Sequence, residues 1–488
     1  MAKTKSFKPK ARRPRGFEDR SADVLRAERA LVSAASAIYE RWGFEPLETP
    51  AFEYADALGK HLPDDERPNE GVFALQDDDE QWMALRYDLT APLARFAAEH
   101  FQDLTKPYRR YQFGEVWRNE KPGPGRFRQF VQCDADTVGA AGPGADAEMI
   151  ALASEVMQAA GLSAGEYVIR INDRRLLDGV LESLGSAAAD KRMTVLRAID
   201  KLDRLGRSGV EQLLGEGRKD PSGDFTEGAG LDASGRTRVL DFIEAGTGSR
   251  AEVAERLTQL VGSGAGAAGI EALHAIDDLL GALGVSEDQA VLDPSIVRGL
   301  GYYTGPVFEA ELLASATYED GKPIQFGSVG GGGRYDDLVA RFTGQAVPAT
   351  GFSFGVSRFA AALAALDRLK IARPDPLVIV IAADKTETAR YFQMAAELRA
   401  QGFRAEAFMG GGNMGKQLKY ADKRGASFAI IEGSEERERG EVTVKDLMLG
   451  KRLAAEIEDN KAWREDQPAQ FDLTRQGFAA ALAARCRD

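Results

Sequence analysis

Residues Arg109 to Gly139 read RRYQFGEVWRNEKPGPGRFRQFVQCDADTVG. At the two-residue period of a strand, Gln112, Gly114, Val116 and Arg118 share one face of a first strand, and Arg126, Arg128, Gln132 and Asp136 share one face of a second. Between them, Asn119 to Gly125 contains Pro122, Gly123, Pro124 and Gly125, which preset or permit turn dihedrals and cannot sustain a central ladder. The spacing predicts a β-hairpin with cations and acceptors on a common side. Such a hairpin is a stiff platform for a polyanion, with a loop left free to meet a larger partner. Charge on strands is common, and a hairpin of this kind on its own is more often an exposed surface, so its neighbours decide the reading.

The length of 488 residues corresponds to roughly two to four domains. Apolar and charged fractions of 44% and 28% are those of a soluble globular protein. No apolar run is long enough to span a bilayer, and Met1 to Gly16 is polar and basic, unlike a secretory signal, so a cytoplasmic protein without a membrane partner is expected. Cys133 and Cys486 stand far apart, and His61, His100 and His274 lack ligand spacing. Neither a zinc cluster, nor any metal held by protein side chains, nor histidine catalysis is expected. A net charge of -13 argues against indiscriminate nucleic-acid binding. Local basic patches can still meet RNA, and Lys3, Lys5, Lys8, Lys10, Arg12, Arg13 and Arg15 all precede the first acid, Glu18. Residues 1–16 are expected to be a basic flexible tail, with tRNA contact or a transit peptide as the functional alternatives.

Outward from the hairpin, Leu31, Ala35, Ile38 and Trp42 fall at helical spacing between Ser21 and Trp42, and Gly43, Pro46 and Pro50 turn the chain to an extended segment. Val72 to Leu75 and Trp82 to Tyr87 flank the acidic run Asp77 to Glu80, expected as a hairpin turn rather than a metal site. In LRYDLTAPLARFAAEH, Asp88 or Thr90 caps a helix with Pro92 in its first turn. A helix over Ala145 to Ala160 and a strand over Tyr167 to Asn172 follow. Ser186 to Gly284 is mostly helical and polar, an inserted helical domain with Gly262 to Gly269 as a flexible connection. Strands resume near Val291. GFSFGVSRFAAALAAL runs from strand to helix with Arg358 in the first turn, and from Pro374 alternating β and α elements predict a separate α/β domain.

RYDLTAP, VWR followed by GRFRQFVQCDAD, RGLGYYTG, GGGRYDDL and GFSFGVSR stand in this order. Together they resemble the class II aminoacyl-tRNA synthetases, and among them the histidyl-tRNA synthetase family, over about Arg13 to Asp446, with the helical insertion matching least. The resemblance implies an α+β fold whose catalytic domain, built on an antiparallel sheet, occupies 17–185 and 286–370. A helical insertion at 186–285 interrupts it, and a C-terminal α/β anticodon-binding domain follows at 375–488. It implies activation of histidine with ATP and Mg²⁺, transfer to tRNA(His), and a homodimer across the helix and extended segment ending at Pro50.

By the same resemblance Arg118 takes the ATP α-phosphate, Arg126 lies near the γ-phosphate, Arg358 stacks on adenine, and Glu120 joins the ATP site. Arg298 is the additional cation where the histidine carboxylate attacks. Guanidinium suits these roles, being planar, always charged and able to stack. Asp88, Thr90 and Gln132 are implied to hold the α-amino group, and Asp136 and Tyr303 the imidazole. Neighbouring Tyr302 belongs to the same motif, but adjacent strand residues face opposite ways, and Tyr303 is expected to reach the ligand. The glycines of GGGGR, which alone would suggest a bend, are expected to make room for backbone to approach substrate.

GGNMGKQLKYADKRGA, IIEGSEE and VTVKDL carry the resemblance into the C-terminal module, where Lys416, Lys419 and Lys423 share a helix face suited to phosphates. Two departures stand out: Gly301 where the family usually has Asp, and Gly123 with Pro124 in a loop that often carries polar side chains. The second predicts weak discrimination of the tRNA 5′ end. Gly301 leaves an alternative, a non-catalytic histidine-binding regulatory paralogue of an ATP phosphoribosyltransferase, against which the C-terminal module speaks. A synthetase for another amino acid is disfavoured by the QCDAD and YYTG pair. No editing domain is expected, because a site that hydrogen-bonds a side chain can reject analogues by roughly 10⁴.

Overall fold

A computed structural model of the chain describes residues 9–59, 71–123, 127–220, 223–262, 264–297, 303–317, 323–324, 326–368, 375–456 and 469–486. They form two compact units, Met1–Ile371 and Ala372–Asp488. The hairpin organises the first unit. Its strands, β2 (Tyr108–Trp117) and β3 (Gln129–Val138), pair antiparallel with Gly114 opposite Gln132, Gln112 opposite Asp134 and Arg110 opposite Asp136. Opposed residues share a face. The front therefore carries Arg110, Gln112, Gln132, Asp134 and Asp136, and the back Tyr111, Val131, Cys133 and Ala135, all of them buried. Arg118 N–H donates to the Arg128 carbonyl at 2.9 Å, which carries the pairing one step past the strands.

Six more strands complete the sheet: β1 (Glu45–Pro46), β4 (Tyr167–Asp173), β5 (Ala290–Leu292), β6 (Pro306–Leu312), β7 (Gly327–Arg334) and β8 (Ala349–Gly355). Their order is β1-β2-β3-β8-β7-β6-β4-β5. All inner pairings are antiparallel; only β1 on β2 and β5 on β4 are parallel. The back is covered by α1 (Ala22–Arg41), α3 (Pro143–Ala159) and α7 (Val356–Ala365), whose Leu31, Ile38, Tyr39, Ile150, Met157 and Phe359 belong to its core.

The glycine run belongs to the sheet. Gly327–Arg334 is an inner strand rather than a bend, and a Cβ on Gly330 would lie 2.7 Å from the Phe352 ring and 2.9 Å from Phe354. On Gly332 it would meet the Gly351 carbonyl at 2.1 Å and the Phe308 ring at 2.7 Å. These two glycines face the back and admit aromatic rings; the Phe308 and Phe352 rings stack with centroids 5.9 Å apart. Each buried ring contributes about 1.5–3 kcal/mol. Gly331 and Gly333 alternate with them onto the front.

After β4, α4 (Arg174–Ser183) leads into helices at Arg192–Ile199, Leu202–Leu214 and Ala233–Glu244, then α5 (Arg250–Val261) and α6 (Ala265–Ala282). Leu257, Leu273, Ile276 and Leu280 from α5 and α6 join the same contiguous core as the back of the sheet. The stretch expected as a flexible connection is mostly helix: Gly266 and Gly269 lie inside α6. A Cβ on Gly179 of α4 would come within 2.5 Å of the Val261 carbonyl and 2.6 Å of Gly266 Cα, and one on Gly269 within 2.9 Å of Leu176. Smallness here serves close helix crossing.

A small three-stranded sheet holds the predicted acidic hairpin, Ala74–Gln76 pairing with Trp82–Leu85. Asp77 closes its turn, accepting from the backbone N–H groups of Asp79 and Gln81 at 3.0 and 2.8 Å.

The second unit carries a five-stranded sheet of β9 (Leu377–Val380), β10 (Arg404–Ala407), β11 (Phe428–Ile431), β12 (Glu441–Asp446) and β13 (Gln470–Thr474) in the order β10-β9-β11-β12-β13. The first three strands are parallel, as α8 (Thr388–Ala400) and α9 (Met414–Lys423) between them require, and the last two are antiparallel.

Candidate active site

The RYDLTAP segment lies across the front of β2. Its Tyr87 carbonyl accepts from Arg118 Nε at 3.1 Å and its Leu89 carbonyl from Arg110 Nη2 at 2.8 Å. Asp88 is buried between these fixed points and Thr90 directly after them; the N-cap of α2 (Thr90–Glu99) is Leu89 rather than either of the two, and Asp88, one residue earlier, accepts from the Ala91 N–H at 2.9 Å. Arg86 anchors the segment, donating to the carbonyls of Glu115 at 3.0 Å and Thr49 at 2.7 Å. Only glycine at 114 leaves it space, since a Cβ there would lie 2.4 Å from the guanidinium.

At the deep end of β3, Asp136 is 2% exposed. Arg110 Nη2 lies 3.0 Å from one of its oxygens, and the Tyr335 hydroxyl donates to the other. Gly351 makes room for it: a Cβ would fall 1.9 Å from Asp136 Oδ1. Tyr303 is half-buried beside Gly333, and burial with the nearby Asp88 and Asp136 charges raises its phenol pKa, keeping it a neutral donor.

Two positions nearer the loop, Gln132 Nε2 donates to Ser353 Oγ at 2.6 Å. Gln132 Oε1 and Asp134 Oδ1 are buried without a hydrogen-bond partner among the described residues. Burial first, then the neighbouring Asp136 carboxylate, push Asp134 well above the usual carboxylate range. Asp136 is raised by burial and pulled back by Arg110 and Tyr335. Two carboxylates thus share one close arginine beside an open amide oxygen, and a ligand that brings donors and positive charge completes this face.

The other end of the strip suits an anion. Arg118 is half-buried, with its guanidinium 5.1 Å from the Phe130 ring centroid. Ser357 in the first turn of α7 accepts from the Val131 N–H at 3.2 Å, which fixes that helix start at the same end of β3. The following residue, Arg358, is exposed and donates to the Phe326 carbonyl at 2.5 Å. Glu120 is exposed in the loop, its carbonyl accepting from Arg128 Nε at 2.8 Å. At about 3.3 Å per residue, roughly 13 Å separates Gln132 from Asp136, the length of a small extended ligand.

Arg126, Arg298, Gly301 and Tyr302 lie outside the described residues. Lys416, Lys419 and Lys423 are exposed on α9, within the second unit. Arg110, Asp134, Ser353 and Tyr335 belong to the site and were not singled out by sequence. Arg110 and Asp134 share the parity of Gln112 and Asp136, a signal present in the alternation.

A profile of histidyl-tRNA synthetases matches residues 16–359, and one of an anticodon-binding domain matches residues 377–463. The histidine–tRNA ligase of Caulobacter vibrioides is 58% identical over 98% of this chain and 97% of its own length. Among solved structures, a histidyl-tRNA synthetase from Nostoc superposes with a TM-score of 0.71 at 28% identity, over 98% of this chain and 100% of that one. A Bacillus halodurans protein titled an ATP phosphoribosyltransferase regulatory subunit/histidyl-tRNA synthetase, at 22% identity and a TM-score of 0.64, shares the fold over 85% of this chain and 97% of its own. The antiparallel sheet, with its arginine-bearing hairpin and buried acceptor strip, defines a class II aminoacyl-tRNA synthetase catalytic domain. Within that class, the chain belongs to the histidyl-tRNA synthetase family.

Proposed function

We propose that the chain joins histidine to ATP, forming histidyl-adenylate and releasing pyrophosphate, and then transfers the histidyl group to the 3′ end of tRNA(His). The observation that carries this reading is the strip on β3: unpartnered buried acceptors at Gln132 and Asp134, a carboxylate at Asp136, and arginines at the loop end. Asp88, Thr90 and Gln132 hold the ammonium, and Asp136 with Tyr303 holds the imidazole. Arg118 meets the α-phosphate as the histidine carboxylate oxygen attacks phosphorus, and Arg358 lies along the adenine. Arg126, near the γ-phosphate, and Arg298, at the α-phosphate, are assigned by family resemblance, as is Glu120 beside the nucleotide.

Fixed donors aimed at developing phosphate charge supply the rate, and no side chain need act as a general base. Mg²⁺ is proposed to arrive on the nucleotide as MgATP, neutralising its phosphates.

The proposed division of labour assigns catalysis to 17–185 and 286–370, acceptor-stem contact to 186–285, and the anticodon to 375–488, with Lys416, Lys419 and Lys423 meeting RNA phosphates. Exposed Phe52, Tyr54 and Leu75 on the small three-stranded sheet, which begins directly after the extended segment ending at Pro50, support a homodimer formed across that segment. No described helix is long and apolar enough to cross a membrane, and the proposed location is the cytoplasm. The regulatory-subunit alternative is disfavoured by the anticodon-binding match over 377–463. Histidine-dependent exchange of pyrophosphate into ATP is the test. Robust exchange is expected; histidine binding with no exchange would favour the regulatory alternative.

A further inference from the structure

The segment expected as a flexible tail is anchored at its end. The Gly16 carbonyl accepts from the Arg128 N–H at 2.8 Å, and Phe17 N–H donates to the Pro14 carbonyl at 3.2 Å, closing a turn. Gly16 has φ +85°, and a Cβ there would lie 2.9 Å from Arg128 Cγ and 3.1 Å from Pro122 Cβ, so the turn requires glycine. The Phe17 ring packs on Phe73 with centroids 5.8 Å apart. Pinned this way, the basic segment borders a groove of about 530 Å³ whose opposite wall is Pro122, Gly123 and Phe127 of the hairpin loop.

Arg12, Arg13 and Arg15 are exposed. Arg12 and Arg15 have no ion pair among the described residues, and Arg13 has only a loose one, 3.8 Å from an Asp19 that is itself 90% exposed. Lys10, exposed on the same segment, adds a fourth cation; Glu18, at the groove, and Asp19 are the acids facing them. Exposed guanidinium groups with so few internal partners, in a chain of net charge -13, suit an external polyanion.

We infer that Arg12, Arg13 and Arg15, held against the hairpin loop by Gly16, form a binding surface for the sugar–phosphate backbone of the tRNA acceptor stem. This rests on the synthetase reading above. On the loop side the groove is lined by Pro122, Gly123 and Phe127, which carry no side-chain donor, and the anchored segment supplies guanidinium groups from the opposite wall. Phosphate contacts of this kind position a nucleic acid without reading its bases. The guanidinium groups are exposed rather than set in a buried pocket, which suits a polymer backbone.

The test compares R12A/R13A/R15A with the unmodified protein in two assays. Expected are unchanged histidine-dependent pyrophosphate exchange, a KM for tRNA raised roughly tenfold or more, and a salt dependence of tRNA charging reduced by about two to three in log–log slope. Normal exchange with a tRNA KM within twofold of the unmodified protein overturns the inference. So does a KM for ATP that rises alongside that for tRNA, which would make the groove a nucleotide site. Absence of exchange in the unmodified protein would instead refute the synthetase reading itself. Should the triple variant fail to fold, deuterium exchange of the unmodified protein decides: protection of residues 10–17 on adding tRNA supports the surface, and unaltered exchange there overturns it.

Discussion

On β3, Gln132, Asp134 and Asp136 face one way and Val131, Cys133 and Ala135 the other, and the two sets obey opposite rules. The back set joins the main core, where phenylalanine rings occupy the space that a Cβ on Gly330 or Gly332 would take. The front set is equally buried but is left short of partners, with two carboxylates against one close arginine and two acceptor atoms unpaired. Burying such groups costs stability unless a ligand completes them. One strand therefore stabilises the fold through one face and pays for a binding site through the other. Substitutions on the two faces should separate these effects.

The largest effect is expected at Asp136, where the faces cease to be separable. D136A leaves Arg110, fully buried, without its carboxylate, and breaking a buried pair in this way costs about 3–5 kcal/mol. Denaturant unfolding should show that loss, and exchange should lose histidine saturation in whatever remains folded. A stable D136A would mean that Arg110 finds its partner elsewhere. Arg118 should show the opposite division. R118A is expected to lower kcat for exchange by roughly 10²–10³, as for other fixed donors to developing charge, while stability shifts by less than about 1 kcal/mol. Equal losses in folding and rate would make Arg118 a structural clasp for Tyr87.

The back face is tested at Gly332. A Cβ 2.1 Å from the Gly351 carbonyl forces the strands apart, and G332A should cost about 3 kcal/mol of stability with the histidine KM of the folded fraction unchanged. A stable G332A with a raised KM would instead tie that glycine to the ligand.

Gly332 also marks where sequence ceases to inform. The hairpin was legible because a period of two and a Pro/Gly turn are local signals, and the βα alternation from Leu377 to Ile431 was legible for the same reason. The glycine run was not. The rings that need its space come from Phe308, Phe352 and Phe354 on neighbouring strands, and nothing local distinguishes a glycine that bends from one that admits a ring. Tyr335 was hidden likewise, since it reaches Asp136 across 199 residues of chain. Asp134 and Arg110 are the opposite case: the two-residue period puts them on the site face, while the family pattern names the residues beside them.

Asp134 gives the smallest and most discriminating effect. In an unfolded chain its carboxyl titrates near the usual value of about 3.9; in the folded protein burial and Asp136 raise it well above that. Between the two values the folded protein binds more protons than the unfolded one, so stability falls as pH rises through that interval. D134N keeps the shape and removes the titration. Its stability should lose this fall and exceed that of the unmodified protein by roughly 1 kcal/mol at pH 8, a rise of about 1 °C in melting temperature for a chain of this size. Its KM for histidine at pH 8 and above, where the carboxylate is ionised, should rise roughly tenfold, because an amide replaces the charged acceptor beside Gln132. Greater stability together with weaker binding is what a front face destabilised for function requires. A D134N protein with the same pH profile and the same KM would place Asp134 with the back face, as packing that happens to be polar.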